Sequence, residues 1–174
     1  NNAQGQIVSG GAIALHAASL GNQDGAVSSK NGALDVKVSG AIDNQRGSLQ
    51  AAGPVQISSA SLDNREASIL SATGSLTVNS AQGLNNQQGR IAARKNVTLS
   101  ADGLNNQQGI VTAVDQTLAV HAGQSLNNSD GTLQSSGDLL LDALSLTNVR
   151  GTIQSTEGDA LLTVAGPLDN QLGS

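Results

Sequence analysis

The residues that could do acid–base or metal chemistry in this chain are few and lie far apart. His16 and His121 are its only histidines, and it contains no Cys, Met, Phe, Tyr or Trp. A nucleophile–base pair or a transition-metal site needs such groups within a few ångströms of one another. The repeat described below puts the two histidines at outward positions five repeats apart, roughly 24 Å at one strand spacing per repeat. The sequence therefore predicts no triad, no metal site, no cofactor and no enzyme.

A pair of carboxylates is the remaining candidate for catalysis. Asp43 and Asp63 occupy equivalent positions of neighbouring repeats, and glycan-cleaving enzymes commonly work with two such groups. A catalytic pair also needs a cleft and perturbed pKa values, and the acids Asp102, Asp115 and Asp142 fall in other corners of the repeat. A polysaccharide-degrading enzyme is thus a second alternative, and solvated turn carboxylates are the ordinary interpretation.

Three cations on one repeat form a candidate contact for an anionic glycan. Arg90, Arg94 and Lys95 could meet a sulfate or a sialylated sugar, although Asp115 on the next repeat partly cancels their charge. Without aromatic residues, sugars cannot stack on the protein. The net charge of -5 argues against nucleic acid as a partner. The three cations nevertheless make direct binding of a host-surface glycan the first alternative function.

A regular repeat positions all of these residues. An apolar residue followed two places later by Asn recurs at alternating intervals of 20 and 22 residues. After Asn2, the asparagines of this mark are Asn22, Asn44, Asn64, Asn86, Asn106, Asn128, Asn148 and Asn170. A fixed period in this range is typical of a solenoid. Stacked copies would make the asparagines a ladder of side-chain amides.

A glycine follows each asparagine at a fixed place. Three residues after the Asn lie Gly25, Gly47, Gly89, Gly109, Gly131 and Gly151. A glycine in every copy indicates a turn that needs either positive φ or close backbone approach. Ala67 is the one departure, so we expect a slightly altered turn there.

Two short alternating runs in each repeat predict two strands, and a third extended piece surrounds the Leu-x-Asn mark. Leu49 and Ala51 alternate in the first run, and Val97 and Leu99 in the second, which is a strand pattern. No segment has helical periodicity. We predict an all-β, right-handed parallel β-helix of about eight coils, around 40 Å long at one strand spacing per coil. A leucine-rich repeat is the competing solenoid, but its leucine spacing does not fit.

Equivalent positions of neighbouring coils should also pair their charges. Asp24, Arg46 and Glu66 alternate in sign one place before the glycine, as do Asp130 and Arg150. Exposed pairs of this kind contribute under about 1 kcal/mol each.

The chain begins and ends inside a repeat. We therefore expect residues 1–174 to be one β-helix segment of a longer array, without separate domains. Open β edges make end-to-end self-association of the isolated segment a hazard. The sequence has no signal peptide and no apolar run of the roughly 18 residues that a membrane span requires.

The repeat carries a family resemblance. Its motif, Leu-(Asn/Asp)-Asn-x-x-Gly-x-(Ile/Leu)-x-(Ala/Ser), as in residues 84–93 and 126–135, resembles the filamentous haemagglutinin repeat. The resemblance implies the shaft of a bacterial two-partner-secretion exoprotein, either an adhesin or a contact-dependent growth-inhibition effector. Such a protein is secreted to the cell surface through an outer-membrane transporter, which recognises an amino-terminal domain outside this chain. The implied function is a structural stalk that holds a distal part toward a host or target cell.

Overall fold

The alternating runs form two stacks of parallel strands. The computed structural model describes residues 1–174, and none of them forms a helix that could span a membrane. The first sheet contains β1 (Gln6–Ser9), β4 (Ala26–Ser29), β7 (Ser48–Ala51), β9 (Ser68–Ser71), β11 (Arg90–Ala93), β13 (Ile110–Ala113), β15 (Thr132–Ser135) and β17 (Thr152–Ser155). The second contains β2 (Ile13–Ala17), β3 (Leu20–Gly21), β5 (Leu34–Val38), β6 (Ala41–Asp43), β8 (Val55–Asp63), β10 (Leu76–Asn85), β12 (Val97–Asn105), β14 (Leu118–Asn127), β16 (Leu139–Thr147), β18 (Ala160–Val164) and β19 (Leu168–Asp169).

Each strand pairs with the equivalent strand of the next repeat. Leu49 of β7, for example, lies opposite Ile69 of β9, and Ile69 lies opposite Ile91 of β11. Both sheets therefore run along the axis of a rod, with one repeat per turn. The predicted parallel β-helix of about eight coils is confirmed.

The second strand of the repeat is longer than the sequence indicated. In β8, β10, β12, β14 and β16 the alternating run and the Leu-x-Asn piece join into one strand of nine or ten residues. The join absorbs one of the two extra residues of the longer repeats through a β-bulge, and the other extra residue lies in the corner before this strand. Ser80 pairs with Ala101 and Gly83 with Gly103, so two residues of β10 oppose one residue of β12. The bulge turns the corner while the chain stays extended.

Aliphatic side chains fill the interior. The core is one cluster of 32 buried residues that runs through the coils. Leu49, Ile91 and Leu99 have no exposed surface, and Leu104 is 2% exposed, which confirms the inward facing predicted from alternation. Full burial of such a side chain contributes about 1.5–3 kcal/mol. Because every coil repeats the same cross-section, small aliphatic residues in register fill the interior without aromatics.

Candidate functional site

The asparagines form a continuous column inside the rod. Each Nδ2 donates to the Oδ1 of the asparagine one coil further on, at 2.6–2.8 Å, from Asn2 through to Asn170. Asn86 and Asn106 are fully buried. The Nδ2 of Asn106 also donates to the carbonyl oxygen of Gly109 in its own turn, at 3.2 Å. Buried amides are costly unless they are paired, so this column ties every coil to the next in one register.

The turn beside the column explains the repeated glycine. Of the two reasons the sequence offered, the structure selects close approach, because no glycine has positive φ. A Cβ at Gly109 would overlap the main-chain oxygen of Asn86 in the coil before it. The same overlap with the preceding asparagine occurs at Gly25, Gly47, Gly89, Gly131 and Gly151. The left-handed conformation falls instead on the residue before each glycine, as at Gln108 with φ 56°.

The turn at Ala67 differs from the others. Its backbone nitrogen lies 3.3 Å from the main-chain oxygen of Asn64, whereas the equivalent distance in the copies with glycine is 2.8–3.1 Å. Asn44 and Asn64 keep their column bonds but donate to no backbone carbonyl. Asn22, by comparison, donates to the carbonyls of Gly25 and Ser48. The methyl group of Ala67 thus loosens the two asparagines that surround it.

Charged pairs on the rod surface connect neighbouring coils. Arg46 donates two hydrogen bonds to Asp24, at 2.9 and 3.0 Å, and Arg150 binds Asp130 in the same way, at 2.7 and 2.9 Å. These hydrogen bonds hold the pKa of each aspartate below its usual value. Glu66 makes no ion pair, so the predicted alternation extends over two coils rather than three.

The carboxylate pair lies side by side but is engaged elsewhere. Asp43 and Asp63 are register partners on β6 and β8. Asp43 accepts a 2.6 Å hydrogen bond from Gln23, and Asp63 holds the guanidinium of Arg65 at 2.7 Å. The Asp63–Arg65 pair was not predicted from the sequence, although the i, i+2 spacing of the two residues across the turn indicates it.

The three predicted cations do not converge. Arg94 pairs with Asp115 on the next coil. Arg90 begins β11, and Lys95 lies in the bend that follows the end of this strand. A polyanion would therefore meet two separated cations next to a neutralised one, which is weak attraction at an exposed surface.

The two histidines share one column of the second sheet. The register runs from His16 through the equivalent residues of four coils to His121, so five strand spacings separate them. His121 Nδ1 lies 2.8 Å from Asp142 Oδ2 on the adjacent strand, and both side chains are exposed. No group of three or more His, Cys, Asp or Glu residues is placed to hold a metal ion.

Comparison with known proteins identifies the repeat. The haemagglutinin repeat matches residues 1–33, 31–74, 71–130 and 113–171, which together span nearly the whole chain. The chain belongs to the haemagglutinin repeat family. No curated protein and no solved structure matches it. The haemagglutinin repeat family is a structural and adhesin family rather than an enzymatic one, and its members are typically secreted surface adhesins. The haemagglutinin repeats and the solenoid together fit a segment of a filamentous haemagglutinin-type adhesin.

Proposed function

We propose that this haemagglutinin repeat segment is a shaft, which holds a distal binding or toxin-delivery part of a longer exoprotein away from the bacterial surface. The observation that carries the proposal is the unbroken asparagine column from Asn2 to Asn170. A shaft must keep its direction over many repeats, and a buried, fully paired column penalises any slip of one coil on another.

Secretion through an outer-membrane transporter fits the same architecture. Strands pair only with those of the adjacent repeat, so a coil can form as soon as the one beside it has formed. Such nearest-neighbour assembly can propagate along a chain that emerges progressively. We propose that the chain crosses the outer membrane unfolded and folds on the extracellular side.

Deleting whole coils tests the shaft. Removal of residues 65–106 takes out 42 residues, one short and one long repeat, and joins Asn64 to Gln107 in the correct register. We expect a folded rod that is shorter by two strand spacings, about 10 Å, in small-angle X-ray scattering. When the chain is displayed on a cell surface with a ligand-binding tip, the tip should keep its affinity and lose only this reach.

A deletion one residue shorter is the matched control. Removal of residues 65–105 leaves an extra residue at the junction, which turns inward side chains outward in the strand that follows. We expect this variant to lose cooperative unfolding. A shaft would be contradicted if the deletion of residues 65–106 abolished folding, or if the rod kept its original length.

A further inference from the structure

A shallow groove runs along one edge of the solenoid, beside the bulge of the second sheet. It encloses about 670 Å³ and crosses five coils from Ala41 to Asn127. The backbone at Leu62, Leu84 and Leu104 forms its floor, because these side chains point into the core. The groove follows the rod axis rather than the strands, so any occupant would contact one coil after another.

Three amide donors project into this groove. Asn85, Asn105 and Asn127 are register partners on β10, β12 and β14. Each Oδ1 accepts a hydrogen bond from the backbone N–H two residues later, at 3.0–3.1 Å. This bond fixes the plane of the amide and leaves its Nδ2 without an acceptor in the protein. The result is a row of oriented donors repeated at one strand spacing, about 4.8 Å.

Two glycines deepen the groove without being required by the fold. Gly83 and Gly103 have no positive φ. A Cβ at Gly83 would meet nothing closer than 3.6 Å, and one at Gly103 nothing closer than 3.9 Å. The equivalent residues of other coils are Ala41, Ser61 and Ser125, so side chains fit there. Glycine within a strand lowers stability, and here it opens space beside the free amides.

We propose that the groove binds a linear, uncharged, β-1,4-linked polysaccharide that lies parallel to the rod axis. In such a chain each sugar advances by nearly one strand spacing and is turned over relative to the sugar before it, but both edges of every sugar carry hydroxyl or ring oxygens. Successive hydroxyl or ring oxygens can therefore accept from Asn85, Asn105 and Asn127 in turn. At the other end of the groove, Asp43 forms no ion pair, and its carboxylate keeps lone pairs that can accept from a sugar hydroxyl, whereas Asp63 is occupied by Arg65.

Other polymers fit these features less well. An extended polypeptide repeats a given face about every 6.6–6.8 Å, which is out of step with donors one strand spacing apart. A polyanion would meet the unpaired carboxylate of Asp43 and a chain whose net charge is -5. The groove is also separate from Arg90, Arg94 and Lys95. The proposal does not depend on the shaft, because a rigid rod can carry a tip and also lie along a polysaccharide.

Calorimetric titration of the intact chain with cellohexaose and chitohexaose tests the proposal. Asn105→Asp removes the free donor but keeps the oxygen that caps the turn, and Asp43 and Asp63 show that this column accepts aspartate. We expect at least about a fivefold loss of affinity, the effect of one lost hydrogen bond. Asn96→Asp is the matched control, because it makes the same charge change outside the groove and keeps its bond from Thr117. It should bind as the unmodified chain does.

A second variant fills the groove. Gly103→Val places a branched side chain on the floor, where strand propensity favours it, so we expect unchanged or higher thermal stability with loss of binding. Affinity should also rise with oligosaccharide length up to five sugars, and α-linked maltohexaose, which does not extend straight, should not bind. The proposal is overturned if neither β-1,4-linked hexaose binds, if Asn105→Asp and Asn96→Asp bind equally, or if folded Gly103→Val still binds.

Discussion

Restoring glycine at position 67 should stabilise the protein. Ala67 places a methyl group where every other repeat has glycine, and the side chains of its two neighbours, Asn44 and Asn64, donate to no backbone carbonyl. If Ala67→Gly restores one such bond to each asparagine, the gain is about 1–3 kcal/mol. The more flexible unfolded chain costs about 0.5–1 kcal/mol, and loss of the buried methyl about 0.8 kcal/mol.

These contributions favour Ala67→Gly once relief of the contact between the Ala67 methyl group and the preceding coil is added to them. We expect a net gain of about 0.5–1 kcal/mol, which raises the melting temperature by about 1–4 °C for a domain of this size. Differential scanning calorimetry and urea unfolding measure both quantities. Gly109→Ala, the reverse change in a regular coil, should lower stability by more than this gain, because it adds the overlap with Asn86 and loosens its hydrogen bonds.

Ala119→Gly is the control, because it measures how much an alanine-to-glycine change destabilises the protein where no turn is relieved. Ala119 lies on β14, outside the column and its turns, so this change should destabilise by about 0.5–1 kcal/mol. If Ala67→Gly destabilises the protein by the same amount, the methyl group of Ala67 does not loosen the asparagine column.

Three further changes test the inward facing of Leu104, the asparagine column and the surface ion pairs. Leu104→Asp should destabilise by more than about 4 kcal/mol in urea unfolding, whereas Gln108→Asp, which is exposed, should stay within about 0.5 kcal/mol; equal effects would contradict the assigned facing. Asn106→Leu should cost about 2–4 kcal/mol in the same assay, because it leaves buried partners unpaired; a neutral effect would mean that the column does not stabilise the stack. Arg46→Gln should return the pKa of Asp24 toward its usual value, since the Arg46 hydrogen bond lowers it. Because that folded-state pKa is depressed, the contribution to stability is present above the unfolded pKa and is lost as the pH falls through the folded one; an NMR titration of Asp24 with no change in the variant would contradict this.

Sequence periodicity was sufficient to predict the stack and the inward face. The spacing of Asn86 and Asn106 gives the repeat, and alternation around Leu99 gives its facing, because an added coil can bury its apolar side only against an equivalent coil. The repeat spacing and the inward facing recur from copy to copy, so the sequence pattern is enough to predict them.

The details that the sequence did not predict depend on geometry within one turn. The repeated glycine indicated a special backbone, but not that the left-handed residue would be Gln108 and its equivalents. The close approach of the preceding coil accounts for the glycine, and the left-handed position falls one residue earlier. The free amide of Asn105 was hidden for a similar reason, since the periodicity that assigns Asn106 to the column does not show which atoms of Asn105 the turn engages.

Distances between spin labels test the stacking most directly. The chain has no cysteine, so pairs introduced at exposed positions of one column of the second sheet can be labelled cleanly. With one label at Lys37 and the other at His121, Asp142 or Thr163, stacked coils predict separations of roughly 19, 24 and 29 Å by dipolar electron paramagnetic resonance, one strand spacing more for each repeat. Separations that fail to grow by this step, or distributions as broad as those of a disordered chain, would contradict the stacked solenoid.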